Sequence, residues 1–149
     1  MPRHPVPPVL QPQNWQIQDL PGLSPEDVST LITCGVATTF QLCQRTRTLA
    51  ERHQLANQLQ IHSRYVNKWA ALARLAGIPS VGCRYCGLLL HAGIASPGQL
   101  AKTPLAHLHR QILRLQVAMM QRPDLCPSLE EVSQWIAQAR QLSQSSTNR

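Results

Sequence analysis

Cys83-Arg84-Tyr85-Cys86 is the stretch whose residue types and spacing could most readily do chemistry. Two thiols so spaced would suit a metal ion or a dithiol exchange. A zinc site wants four ligands, however, and His91, five residues past Cys86, has no second pair nearby. A redox pair of the thioredoxin kind needs a preceding strand in a βαβ setting, which the chain lacks. Cys86 falls at the place of Val28 in an internal repeat, so a small packed thiol is expected there. Cys83 opens a helix, where the dipole and Arg84 are expected to lower its pKa and favour the thiolate.

Cations form the second group. From Gln44 to Arg122 the chain holds eleven Lys or Arg and one acid, Glu51, a local charge of 11 − 1 = +10 within a total of +7. The other acids lie outside it, at Asp19, Glu26, Asp27, Asp124, Glu130 and Glu131. Such a middle attracts anions, and a solvated basic surface looks the same in sequence. His107, Arg110 and Arg114 stand at i, i+3 and i+7, opposite a stripe of Leu105, Leu108, Ile112, Leu115 and Met119, and so predict an exposed ridge. A merely solubilising helix face would have that pattern too.

Catalysis finds little support. The chain has no P-loop, nucleotide-binding glycine run or nucleophile elbow. Its histidines, His4, His53, His62, His91, His107 and His109, have no orienting acid in sequence, and the pairs Glu26/Asp27 and Glu130/Glu131 suit helix N-termini. A non-enzyme without metal or cofactor is expected.

The elements that must position these groups are helical. The 149 residues are 43% hydrophobic but only 4% aromatic, so the core is built from Leu, Ile, Val and Ala. The unit LPGLSPEDVSTLITCGVATTFQL (Leu20 to Leu42) returns as IPSVGCRYCGLLLHAGIASPGQL (Ile78 to Leu100), 58 residues on. Pro21/Pro79, Leu31/Leu89, Gly35/Gly93, Ala37/Ala95, Gln41/Gln99 and Leu42/Leu100 match without gaps. Farther on, Val66, Trp69, Ala71, Ala73 and Arg74 answer Val132, Trp135, Ala137, Ala139 and Arg140.

Thr38, Ser63, Ser96 and Ser128 are the expected helix caps, the last completing a capping box with Glu131. Leu49, Leu55, Ala56 and Leu59 should share a buried side, and Arg122-Pro123 should end the helix that carries the ridge. Five prolines among the first twelve residues predict a disordered arm. The expected divisions are that arm at 1–14, one module at 15–76, a second at 77–142, and a fraying tail at 143–149. Five cysteines at uneven spacing suggest reduced thiols, and the absence of any long apolar run points to a cytoplasmic protein with no membrane span.

The turn phrases Pro21-Gly22-Leu23-Ser24 and Pro79-Ser80-Val81-Gly82, each followed by a helix and a Gly-Val or Gly-Ile stop, resemble the helix-hairpin-helix motif. The whole arrangement from about Trp15 to Ala139 is similar to the DUF4332 family, with LARLAGIPSVG (Leu72 to Gly82) as the most specific piece. The resemblance implies two tandem helix-hairpin-helix (SAM-like) modules packed as one compact all-α domain. Such motifs bind DNA or RNA without sequence preference, hairpin amides holding a phosphate and a nearby cation supporting it.

The first hairpin, with Ser24 in place of a glycine and Glu26 and Asp27 behind it, repels a phosphate and is expected to be structural. The second offers Ser80, Gly82 and Arg84, joined by Lys102, His107, Arg110 and Arg114, as a nucleic-acid site. A protein-interaction scaffold with degenerate hairpins is the alternative.

Overall fold

A computed structural model describes residues 10–120 and 126–147, and these are all-helical. After a single 3-10 turn at Ile17–Asp19 come α1 (Pro25–Thr33), α2 (Thr39–Gln44), α3 (Leu49–Leu59) and α4 (Ser63–Ala76). Then follow α5 (Gly82–His91), α6 (Pro97–Lys102), α7 (Leu105–Met120) and α8 (Leu129–Thr147). No helix among the described residues is long and apolar enough to cross a membrane. The end of α7 after Met120, with Arg122-Pro123, and the arm before Leu10 lie outside the described residues.

The duplication is written in individual hydrogen bonds. α1 and α5 each stop at a glycine in the left-handed region, Gly35 (φ 87°) and Gly93 (φ 94°), angles that a Cβ resists. The next amide closes the helix end: Val36 N–H donates to Leu31 O (2.8 Å), and Ile94 N–H donates to Leu89 O (3.0 Å). Thr38 and Ser96 then cap the following helices, accepting from Gln41 N–H (3.2 Å) and Gln99 N–H (3.1 Å). Each glutamine side chain returns to the loop, taking the amides of Ala37 (2.7 Å) and Ala95 (2.9 Å).

Packing repeats as well. α2 and α3 lie on α4 as α6 and α7 lie on α8. The matched Val66/Val132, Trp69/Trp135 and Ala73/Ala139 are all buried. Arg74 on α4 donates through Nη2 to Thr46 O just past α2 (3.1 Å), and Arg140 on α8 donates through Nε to Ala101 O in the last turn of α6 (3.0 Å). A cation at a helix C-terminus satisfies carbonyls the helix leaves open.

Four details depart from the sequence reading. His62, not Ser63, caps α4, its Nδ1 accepting from Arg64 N–H at 3.0 Å; the imidazole reaches an amide two residues on, and Ser63 is already helical. Leu49 is 58% exposed because it opens α3, whose buried side begins at Leu55. Ser128 does accept from Glu131 N–H (3.1 Å), while the Glu131 carboxylate takes the Tyr85 hydroxyl (3.2 Å). Of the tail expected to fray, 143–147 continues α8.

The arm also holds more structure than its prolines suggested. Gln13 N–H donates to Gly77 O (2.8 Å), and Asn14 Oδ1 accepts from Phe40 N–H (3.1 Å). Thr39 N–H donates to Trp15 O (2.8 Å) and Trp15 N–H donates to the Thr39 hydroxyl Oγ1 (3.0 Å), while Gln16 forms an isolated antiparallel bridge with Thr38. Residues 10–16 thus tie the α1–α2 loop to the α4–α5 turn.

Gly35→Ala and Gly93→Ala meet no atom within 4 Å, so backbone strain alone should lower stability, by about 1–2 kcal/mol each in urea unfolding. Trp135→Ala should cost about 3–5 kcal/mol in the same measurement. A neutral result at either glycine would show that the stop does not depend on the left-handed angle.

Candidate nucleic-acid interface

The α4–α5 turn was the expected phosphate seat, and its amides at Ser80, Val81 and Gly82 are already bonded within the protein. Ser80 N–H donates to Gln138 Oε1 (2.8 Å), and Gln138 Nε2 donates back to Ser80 Oγ (2.8 Å). Val81 N–H and Gly82 N–H both turn inward to Ile78 O (2.9 and 3.0 Å). Gly82, at φ 55°, is buried beneath Trp15; a Cβ placed on it would lie 3.1 Å from the indole. Trp15 Nε1 meanwhile donates to Ala76 O (2.7 Å). A turn held between α8 and the arm must satisfy its amides internally, so Ser80 and Gly82 offer no open amides to an anion.

The first turn is closed by its own acid. Ser24 Oγ accepts from Asp27 N–H (3.1 Å), and Ser24 N–H donates to Asp27 Oδ2 (3.2 Å), a reciprocal capping box. The Asp27 carboxylate therefore occupies the amide that a phosphate would need.

Several cations of the basic middle also face inward. Arg45 donates to Cys34 O (3.1 Å) and Gln58 Oε1 (2.7 Å), while Arg52 and Arg74 converge on Thr46 O (3.2 and 3.1 Å). Arg84 is exposed on α5 and lies over the Tyr85 ring at 5.0 Å. Tyr85 is in turn bonded to Glu131 through its hydroxyl, so Arg84 and Glu131 both attend the same tyrosine.

Lys102, His107, Arg110 and Arg114 are different: all four are exposed. Lys102 at the end of α6 and His107 in the first turns of α7 line an open cleft of about 450 Å³, whose floor includes Ala92, Ile94, Thr103 and Gln111. Arg110 and Arg114 continue along the outer side of α7, opposite the buried Leu108 and Ile112. Leu113 (36% exposed) and Val117 (48% exposed) flank them on that surface. The structure thus joins Lys102, His107, Arg110 and Arg114 on one side and leaves Ser80, Gly82 and Arg84 apart. Thr103 and Gln111 were absent from the sequence-derived site. Thr103 had a signal, a break in the repeat where the first copy has Arg45.

All five cysteines are free, and no group of three or more metal-ligating side chains occurs among the described residues. Cys86 is fully buried, as the repeat predicted, and burial with Cys83 beside it pushes its pKa up to about 12. Cys83 overturns its expectation. Burial and the nearby Asp19 carboxylate raise it to about 11, the opposite of the expected lowering. Raised thiol pKa values leave almost no thiolate near neutrality. Iodoacetamide at about pH 8 should therefore spare Cys83 and Cys86 in the folded chain while modifying both in denaturant. The rate at Cys83 should climb about tenfold per pH unit toward pH 11, followed by peptide mass spectrometry. Fast labelling of Cys83 at neutral pH would contradict this protonated state.

No curated protein and no solved structure matches the chain. One family profile does, across residues 21–142, and this span takes in α1 to α7 and α8 as far as Leu142, with both loop stops and both tryptophan-bearing helices. The chain belongs to the family described as Domain of unknown function (DUF4332).

Proposed function

We propose that the protein is a non-catalytic binding module that holds a nucleic-acid backbone through the outer face of α7 and the end of α6. The observation that carries this is the uncompensated ridge. His107, Arg110 and Arg114 are exposed together beside Lys102, and the chain has no Asp or Glu between Arg52 and Pro123 to neutralise them. Backbone contacts of this kind position a strand by charge and do not read its sequence. The turns of both repeats serve the fold instead, since their amides bond to Gln138, Ile78 and Asp27.

A protein-docking reading draws on one feature of the same helix, the exposure of Leu113 and Val117 alongside the arginines. Nucleic acid is preferred because the permanent charges outnumber these apolar groups and no acid interrupts them.

Labelled single- and double-stranded DNA and RNA titrated at several salt concentrations test the proposal. Three permanent cations on a single strand predict log K falling against log salt with a slope of about −2. Combined Arg110→Glu and Arg114→Glu substitutions, both at exposed positions, should abolish binding without changing the helical circular dichroism. Binding that survives the double substitution, or none even at low salt, would remove the nucleic-acid reading.

A further inference from the structure

The two repeats act as controls for each other, and they differ at one cavity. In the first, the helix α2 ends at Arg45, which reaches across to the end of α1 at Cys34 O (3.1 Å) and to Gln58 Oε1 on α3 (2.7 Å). Its half-buried guanidinium thus bridges those three helices. In the second, the cap residue after α6 is Thr103, whose hydroxyl turns back onto Gln99 O (2.7 Å). It is too short to cross. What remains between α5, α6 and α7 is the open cleft of about 450 Å³, with Ala92 standing where the first repeat has Cys34.

We infer that this cleft is a nucleotide pocket that receives one unstacked base of a single strand. The inference rests on the binding reading proposed above and specifies its substrate. The volume falls within the range of small-ligand sites, roughly 300–1,000 Å³. Ile94 and Ala92 present an apolar floor suited to a base face. The half-buried Gln111 carboxamide has no side-chain partner among the described residues, leaving a planar donor and acceptor for a base edge. His107 at the rim can stack on a base, and Lys102 beside it can hold the adjoining phosphate. Arg110 and Arg114 then carry the backbone away along α7. A duplex keeps its bases paired and stacked inside, so this geometry selects single strands over duplexes.

Thr103→Arg is the sharpest test, because it gives the second repeat the plug of the first while adding a positive charge. A surface reading only phosphate charge would bind as tightly or tighter. Occupied as a pocket, it should lose about tenfold in affinity for a single-stranded oligothymidine, with the salt slope unchanged. The unmodified protein should prefer that strand to an equally charged abasic strand by a similar factor, and Gln111→Leu should reduce the preference should Thr103→Arg perturb folding. Equal binding of intact and abasic strands, or full affinity in Thr103→Arg, overturns the pocket. Those results would leave the ridge reading intact, since the salt titration and the Arg110→Glu/Arg114→Glu pair test that separately.

Discussion

The burial of α4 on more than one side is the constraint from which the rest of the architecture follows. α4 supports α2 and α3 of its own repeat and packs against α5 of the next. Seven of its residues are buried, and three of them, Ala70, Ala73 and Ala76, are alanines whose small side chains let neighbouring backbones approach. The carbonyls at the C-terminal end of a helix so enclosed need donors from the protein itself. Trp15 Nε1 answers Ala76 O and Gln13 N–H answers Gly77 O, so the arm is recruited as the cap. The same enclosure closes the α4–α5 turn against ligands.

Divergence between the repeats is the source of asymmetry in the surface. In the first repeat Arg45, Arg52 and Arg74 turn toward carbonyl oxygens at helix ends and stitch α1, α2, α3 and α4 together. In the second Arg140 does so, while Lys102, Arg110 and Arg114 are exposed. The formal charge of the basic middle therefore overstates what a partner meets on one half of the molecule and describes it well on the other. α8 differs from its counterpart α4 likewise: its Gln138 reaches back to the α4–α5 turn.

Legibility varied with the range of the interaction. Caps such as Thr38 and Ser96, the left-handed stops at Gly35 and Gly93, and the exposed ridge of α7 depend on neighbours within one or two turns, and the sequence pattern identifies them. The thiol state of Cys83 was misread because a helix N-terminus and an adjacent arginine are visible locally, while burial and Asp19, brought in by the fold, are not. The order of Gln13 and Asn14, at the end of the arm, was hidden for the same reason. The arm's prolines forbid a helix, but nothing in them reveals the carbonyls of α4 waiting for Gln13 and Trp15.

By itself the sequence determined an all-helical chain with an internal repeat, the glycine stops after α1 and α5, the caps of α2 and α6, and which face of α7 meets water. These follow from backbone sterics and apolar periodicity, which act over a few residues. Only the tertiary structure decided that both turns are closed, that Lys102 and His107 share a cleft with Gln111, and that Arg45 plugs in one repeat the space Thr103 leaves open in the other. Those outcomes depend on which side chains from distant helices arrive first at a given amide, carbonyl or void. Hydrogen-bond satisfaction and packing density settle that competition only when all the helices are assembled.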